Sequence, residues 1–402
     1  MEEWKEYQLK DVTTILGDGL HGTPKYDENG TVFFINGNNL VDGKIEIKDS
    51  TKRVSEYEAN KYRKNLTPRT ILVSINGTIG NVAKYKGEAC ILGKSACYFN
   101  VADNFDLNFI YYVIASQQFK DTITHLATGT TIKNVSLETM RNYSFMAPSI
   151  NEQKRISSIL SSFDDKIELN RRINDNLEQQ AQALFKSWFV DFEPFKDGEF
   201  VDSELGMIPK GWRVVCLGEV TKQVTEKVGN REDVTVLSPV NSGELVLSEE
   251  YFTKQVFSKN LSKYLIVNPL SFAYNPARIN IGSIGLNEYD FVGCVSPVYV
   301  VFKCEPNYHY FFDFYKRTAV FKDEVALRAI GGVRQSLGYD DFSLIKTIYP
   351  TPDVVAEFNN LYLKMKEVIT RNDIQNNKLT TLRDSLLPKL MSGELKINNF
   401  NR

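Results

Sequence analysis

The chain has 402 residues, which is more than one hydrophobic core usually serves and fits two or three domains. Its hydrophobic content of 42% argues against disorder, and no apolar run has the roughly 18 residues that a membrane span needs, so we expect a cytoplasmic protein. A formal charge of −2 gives no overall basic footprint, and the five scattered cysteines predict reduced core residues rather than a metal site.

The sequence contains an internal duplication. The motif Trp-x4-Leu-x2-Val begins at Trp4 and again at Trp212. The motif Phe-Lys-Asp begins at Phe119 and again at Phe321, and from there the two copies align without gaps. Between these anchors the copies differ in length and in almost every residue. Each copy therefore joins a divergent first part to a patterned last part, which favours parallel tasks on different targets, with simple drift after duplication as the alternative.

Each patterned part predicts one long helix. Pro148 precedes the capping-box sequence Ser149-Ile150-Asn151-Glu152, and Thr351 followed by Pro352 gives the second helix an equivalent start. At about 1.5 Å per residue, each helix would be on the order of 50 Å long. Pro388 is expected to end or kink the second helix.

Apolar residues recur along both helices at alternating spacings of four and three, the heptad pattern of a coiled coil. The first seam contains Ile156, Leu160, Phe163, Ile167, Asn170, Asn174, Leu177, Ala181, Leu184 and Trp188. The second seam contains Phe358, Tyr362, Met365, Ile369, Asn372, Asn376, Leu379, Arg383, Leu386 and Leu390. The run Asp164-Asp165-Lys166 flanks the first seam, where it is predicted to be a solvated helix face rather than a nuclease site.

Both seams carry two asparagines near their midpoints. An antiparallel pairing about the midpoint predicts that Asn170 and Asn174 hydrogen-bond near Asn372 and Asn376 and fix the helix register. Solvated polar turns, where the helices splay apart, are the alternative. The predicted fold class is α+β, with two α/β domains separated by two long antiparallel helices that form a coiled coil, and with a pseudo-two-fold internal duplication.

This layout resembles the specificity (S) subunits of type I restriction-modification systems, in which recognition domains alternate with helices. Short strings support the resemblance along nearly the whole chain. They are GDGLHGTPKY from Gly17, FFINGNNL from Phe33, ILVSINGTIGNVAKY from Ile71, LGMIPKGW from Leu205, YNPARINIGSIG from Tyr274 and LRDSLLPKLMSGEL from Leu382. Each string is weak alone, but their order is specific.

The resemblance implies two target-recognition domains, residues 1–148 and 196–350, that each read one half of a bipartite, asymmetric double-stranded DNA target. It implies that two spacer helices, residues 149–195 and 351–402, set the gap and dock two methylation (M) subunits. Restriction (R) subunits would then join the complex. It implies no cofactor and no catalytic residue in this chain, with S-adenosylmethionine, ATP and Mg on the partner subunits.

Two segments in each recognition domain are candidates for reading base edges, because they combine glycines with side chains that pair with guanine or adenine. The candidates in the first domain are Asn76, Thr78, Thr130, Thr131, Lys133 and Asn134. Those in the second domain are Arg278, Asn280, Arg334 and Gln335. Tight turns that merely pack against the helix start are the alternative, and a surface salt bridge is the alternative for Arg278.

Two rival functions remain open. The sequence from Asn275 to Arg278 superficially resembles the Asn-Pro-Pro-aromatic motif of adenine methyltransferases, but it lacks the second proline and the aromatic residue, and no Gly-rich methyl-donor loop follows a strand. A duplicated coiled-coil adaptor that does not bind DNA is the non-enzymatic rival. Neighbouring genes for a methyltransferase and a helicase-nuclease would favour the specificity function.

Overall fold

The structure, a computed structural model, describes residues 4–129, 131–252, 257–329 and 336–395. The chain forms two units, residues 1–171 with 372–402, and residues 172–371. The division falls inside two long helices, so each unit contains a mixed domain and one part of each helix. Within the described ranges, no helix combines the length and the apolar character needed to cross a membrane.

The first unit is built on a four-stranded antiparallel sheet. Its strands are β1 (Lys5–Gln8), β2 (Thr13–Asp18), β3 (Val32–Ile35), β4 (Leu40–Val41), β5 (Lys44–Ile45), β6 (Arg53–Val54), β7 (Thr70–Ser74), β8 (Val82–Lys84), β9 (Cys90–Leu92), β10 (Ala96–Val101) and β11 (Ser144–Ala147). Its helices are α1 (Glu56–Asn60), α2 (Leu107–Ala115), α3 (Gln117–His125), α4 (Leu137–Arg141) and two 3-10 turns, Leu9–Val12 and Gly37–Asn39; the first long helix, α5 (Ile150–Phe189), follows. The main sheet has the order β2-β10-β7-β8, a smaller sheet has the order β6-β3-β9, and short pairs join β1 to β11 and β4 to β5.

The second unit repeats this arrangement with different lengths. Its strands are β12 (Phe200–Val201), β13 (Ile208–Pro209), β14 (Arg213–Cys216), β15 (Thr221–Val224), β16 (Thr235–Pro239), β17 (Leu245–Leu247), β18 (Leu265–Val267), β19 (Ser271–Tyr274), β20 (Ile284–Leu286), β21 (Gly293–Val295), β22 (Val300–Cys304) and β23 (Lys346–Tyr349). Its helices are α6 (Leu217–Val220), α7 (Ser248–Tyr251), α8 (His309–Tyr315), α9 (Ala319–Arg328), α10 (Tyr339–Ser343), the 3-10 turns Glu193–Phe195 and Ile279–Ile281, and the second long helix α11 (Pro352–Met391).

The duplication is visible in the sheet order. The main sheet of the second unit, β15-β22-β19-β20, has the same connectivity as β2-β10-β7-β8, and β14 pairs with β23 as β1 pairs with β11. The parallel pair β3 and β9 recurs as β16 and β21. The small sheets differ, because β17 and β18 flank the second parallel pair while β6 flanks the first. The predicted α+β class and the internal duplication are therefore confirmed.

Both long helices begin where their capping sequences predict. The backbone N–H of Glu152 donates to the Ser149 hydroxyl at 3.5 Å, and Pro352 is the first residue of α11. Proline fits this position because its missing N–H would have no partner in the first turn. Pro388 does not end α11, which continues to Met391. The Pro388 carbonyl still accepts a hydrogen bond from Ser392 N at 3.0 Å, so the helical hydrogen bonding resumes after the proline.

Within each unit the two helix segments run antiparallel. In the first unit, Ile156 and Leu160 near the start of α5 share one core with Leu390 near the end of α11. In the second unit, Phe185 near the end of α5 packs against Phe358 near the start of α11, with ring centroids 5.8 Å apart. Each core joins these seam residues to the main sheet of its own unit. Burial of the apolar seam, at about 25 cal/mol per Å², holds each helix pair to its domain.

A polar contact interrupts the apolar seam in the first unit. Asn170 is fully buried, and its Nδ2 donates to Gln375 Oε1 at 2.8 Å and to Asn376 Oδ1 at 2.9 Å. Asn174 and Asn372 are also buried. Buried amides of this kind disfavour any shift in register, because a shift would leave them without partners.

Asp165 and Lys166 are exposed, as predicted for a solvated helix face, whereas Asp164 is half-buried and paired. Its carboxylate accepts a hydrogen bond from the Tyr112 hydroxyl at 2.6 Å and forms an ion pair with Arg383 Nη1 at 2.7 Å. Arg383 occupies a seam position where the first helix has Ala181. Its long side chain reaches past the seam, so an arginine in the core line of α11 obtains a charged partner on α5.

Candidate nucleic-acid interface

In the first unit the structure brings the two candidate reading segments together. The segment that follows β7 contains Asn76, and the segment before α4 contains Asn134. The Val135 N–H donates to the Ile75 carbonyl at 2.8 Å, and the Gly77 N–H donates to the Lys133 carbonyl at 3.2 Å. The Asn76 amide also donates to Asn134 Oδ1 at 3.3 Å. Two stretches that are 58 residues apart thus form one surface.

A narrow turn supports the second of these segments. Thr128 and Asn134 exchange backbone hydrogen bonds at 2.9 and 2.8 Å. Gly129 has φ of +103°, and a Cβ at this position would lie 2.4 Å from the Ile132 carbonyl oxygen. Only glycine fits here without strain, because other residues rarely adopt this φ and would also collide with the backbone.

Replacing Gly129 with alanine is expected to loosen this turn by about 1–3 kcal/mol, the usual cost of a strained backbone position. The measurement is hydrogen exchange at the Thr128 and Asn134 amides, which should become faster by about 5- to 150-fold. Gly22→Ala is the matched control, because a Cβ at Gly22 would have nothing within 4 Å. Unchanged exchange in Gly129→Ala would contradict the strain.

The side chains of this surface are exposed. Thr78, Thr131, Lys133 and Asn134 all face solvent, and Asn76 is half-buried. Ile132, which the sequence argument did not select, is 61% exposed. An exposed apolar residue beside hydrogen-bonding groups suits the major groove, where thymine presents a methyl group. Thr130, the remaining candidate in this domain, lies outside the described residues.

The second unit brings its equivalent segments together in the same way. The loop that follows β19 contains Pro276, whose carbonyl accepts a hydrogen bond from the Leu337 N–H at 3.1 Å. Arg278 and Asn280 are exposed in this loop, and Ile281 beside them is 58% exposed. Arg334 and Gln335 lie outside the described residues. The described part of each unit therefore presents one loop that is tied to the segment before the last strand.

Cations without acidic partners mark both surfaces. Among the described residues, no carboxylate oxygen lies within 4 Å of the side-chain nitrogens of Lys133 or Arg278. The salt bridge considered for Arg278 is thus absent from the described residues. By contrast, Lys61 pairs with Glu58 at 2.7 Å and Arg63 pairs with Glu56 at 2.7 Å. These two basic residues, on either side of Tyr62, are consequently paired within the protein.

Lys120 and Lys322 belong to these surfaces, although their sequence positions were noted only as repeat anchors. A Cβ at Gly80 would lie 2.8 Å from the Cγ atom of Lys120, so the lysine chain covers the loop after β7. Helix α9, which carries Lys322, lies against the 3-10 turn Ile279–Ile281. Both lysines are exposed. Their recurrence in the Phe-Lys-Asp motif was the signal that could have identified them.

The base of the second loop is aromatic and uncharged. Tyr274 ends β19 and is fully buried, with its ring centroid 5.5 Å from that of Phe342. Burial raises the pKa of Tyr274 far above its ordinary value, and the nearby Tyr339, Asp341 and Asp340 raise it further. Tyr274 therefore stays neutral and supports the loop without contributing charge.

Comparisons with known proteins agree with this architecture. Residues 1–179 match the family described as the type I restriction modification DNA specificity domain. The chain is 25% identical to a type I restriction enzyme specificity subunit of Methanocaldococcus jannaschii, over 99% of this chain and 95% of that protein. It is 23% identical to a specificity subunit of Haemophilus influenzae, over 98% of this chain and all of that protein.

The crystal structure of a type I restriction-modification system S subunit from M. genitalium has the same fold. It aligns with a TM-score of 0.56 at 18% identity and covers 97% of this chain and 96% of that chain. The two relatives align along nearly the whole chain, so the similarity to type I restriction-modification specificity subunits that the ordered motifs predicted is confirmed.

Proposed function

We propose that the chain is the DNA-recognition subunit of a type I restriction-modification complex and is not itself an enzyme. Residues 1–148 and residues 196–350 each read one half of a bipartite, asymmetric target in double-stranded DNA. Residues 149–195 and 351–402 set the gap between the halves and dock two M subunits. S-adenosylmethionine, ATP and Mg bind to the M and R subunits.

One observation carries this proposal. Each unit ties the loop after a central strand of its main sheet to the segment before its last strand, through Val135 with Ile75 and through Leu337 with Pro276. The backbone frame is equivalent, but the side chains differ. Two surfaces with one geometry and different hydrogen-bonding groups suit the recognition of two different half-sites.

The charge distribution supports the same conclusion. Lysines and arginines contact phosphates in most DNA-binding proteins, and such contacts set affinity rather than sequence preference. The near-zero net charge of this chain is compatible with DNA binding when M subunits supply much of the positive charge. The cations that the described surfaces do expose, Lys120, Lys133, Arg278 and Lys322, lie at the two loop systems.

The test is a methylome of cells that express this chain together with its M subunit. We expect methylated adenines in one bipartite, asymmetric sequence. Arg278→Ala should change only one half of that sequence, by about 5- to 150-fold in discrimination if the guanidinium reads a base. If Arg278 contacts phosphate instead, binding should weaken evenly across sequences. The slope of the logarithm of the binding constant against the logarithm of the salt concentration should then fall by about one.

Arg231→Ala is the matched control. Arg231 belongs to the same unit, but Asp233 holds it at 3.0 Å, so its removal should leave the motif unchanged. A complex that assembles but neither binds nor modifies DNA would support the adaptor function. Methylation by this chain alone, without an M subunit, would support the methyltransferase function.

A further inference from the structure

A cavity of about 320 Å³ lies in the second unit beside the candidate reading loop. Asn275 and Arg278 of the loop line it together with Tyr264 and Tyr299. Pockets that hold small molecules have volumes of about 300–1,000 Å³, so this space suits a single small heterocycle. The Asn-Pro sequence that begins at Asn275 therefore borders a pocket, although the sequence lacks the remaining features of a methyltransferase motif.

The lining combines flat aromatic rings with fixed hydrogen-bonding groups. Rings such as those of Tyr264 and Tyr299 are surfaces on which a base can stack. The Asn275 amide hydrogen-bonds the Tyr299 hydroxyl, and burial raises the pKa of that hydroxyl, so it remains protonated. Ser283 donates its hydroxyl to the Pro239 carbonyl at 2.7 Å, which leaves its oxygen as an acceptor. Donors and acceptors beside a stacking surface match the edge of a nucleobase.

Arg278 connects this cavity to the exposed surface. It lines the cavity and is itself exposed, and no carboxylate of the described residues lies within 4 Å of its guanidinium. A guanidinium in this position is suited to the phosphate that flanks a displaced base.

The first unit differs at the corresponding position, between the ends of the parallel strands β3 and β9. There the Gly37 N–H donates to the Ser95 hydroxyl at 2.9 Å, and Ser95 donates to Asn36 Oδ1 at 2.8 Å. These groups bond directly to one another. The equivalent strands β16 and β21 of the second unit instead end at the cavity, through Ser238, Pro239 and Ser296.

We propose that this cavity accepts one nucleobase displaced from the DNA duplex, in the half-site that the second recognition domain reads. The inference rests on the proposed DNA-recognition function and adds no chemical step. Displacing a base costs free energy that depends on how firmly the base is stacked and paired. The pocket would thus contribute sequence preference at a base that no major-groove contact reads. A free nucleotide carries the same ring and could also occupy the cavity, so the experiment must distinguish it from a base of the duplex.

The experiment uses the complex of this chain with its M subunits and the duplex identified by the methylome. An abasic site is placed opposite each base of the second half-site in turn, and binding is measured by fluorescence anisotropy. Removing the partner base removes the free energy needed to break the base pair, so binding should tighten by about tenfold where a base is displaced. Two such positions are expected, the adenine that the M subunit methylates and the base held by the cavity.

Ser296→Trp fills the cavity, because Ser296 lines it from a half-buried loop position. Val298→Trp adds the same ring two residues further on, where the native side chain is 71% exposed and does not line the cavity. Ser296→Trp should abolish the increase in DNA affinity only at the base that the cavity holds. Val298→Trp should preserve the increase at both displaced bases. If Ser296→Trp lowers the unfolding temperature, Ser296→Leu provides a smaller filler.

The proposal would be overturned if an abasic site increased the DNA affinity only opposite the methylated adenine. It would also be overturned if both tryptophan variants lost the second increase in affinity equally. A separate titration with adenosine monophosphate, without DNA, distinguishes the second source. Binding of that nucleotide that Ser296→Trp abolishes, with no second displaced position in the duplex, would also overturn it. Failure of the unmodified complex to prefer any bipartite sequence would instead contradict the recognition function itself.

Discussion

Replacing Asp313 with asparagine is expected to lower the free energy of unfolding of the second unit by about 3–5 kcal/mol, the cost of leaving a buried charge without its partner. Asp313 Oδ1 lies 2.7 Å from Lys316 Nζ, and their side chains are only 8% and 2% exposed. Lys316 also donates to the Gly243 and Ile284 carbonyls, so it cannot turn toward solvent without breaking these bonds. Chemical denaturation measures the loss.

The pH dependence of that loss has a definite sign. Burial alone would raise the pKa of Asp313, but Lys316 and Arg317 outweigh it and hold the pKa below its ordinary value of 3.8. A carboxyl whose pKa is lowered by folding stabilises the protein above its ordinary pKa, and this contribution disappears as the pH falls through the folded value. The free energies of unfolding of wild type and Asp313→Asn should therefore differ by the full amount at neutral pH and become equal in strong acid.

Glu193→Gln is the control for charge removal in the same unit. Its partner Lys196 lies 2.7 Å away, but both side chains are more than half exposed. An exposed pair of this kind contributes about 0–1 kcal/mol because water already solvates both ions. A loss of similar size in the two variants would show that burial does not govern the Asp313 cluster.

The long helices could be predicted closely because their signals are local. Ser149 and Pro352 mark helix starts through the orphan amides of the first turn, and the heptad spacing marks the buried face. Asp164 could not be assigned in this way. Its partner Arg383 lies 219 residues further along the chain, and a seam position normally predicts an apolar side chain rather than a charge donor.

The candidate interface was predictable in composition but not in its connections. Asn76 and Asn134 were selected separately, as residue types that can read bases, and their contact depends on sheet pairing between distant segments. Lys120 was not selected because its role depends on the space above Gly80, which no local pattern encodes. The cavity at Asn275 depends in the same way on strands that are brought together only by folding.

The separate cores of the two units predict that one recognition domain can be exchanged without changing the other. Each main sheet, together with its segments of α5 and α11, has its own hydrophobic core. The candidate reading loops are held by hydrogen bonds inside that unit, such as Val135 with Ile75. A domain can therefore be replaced without altering the loops of the other one, provided that the residues facing the helix seam remain apolar.

Exchanging residues 1–148 for the corresponding domain of another specificity subunit is expected to change one half of the DNA target completely and to leave the other half and the gap intact. The junction before Ser149 preserves the start of α5, and Ile156 and Leu160 must find apolar partners in the new domain because both are buried. Methylome sequencing reads the outcome directly. The reciprocal exchange of residues 196–350 should change only the opposite half. Alteration of both halves by either single exchange would mean that the two units do not read DNA independently, since the loops that contact the bases would then depend on residues outside their own core.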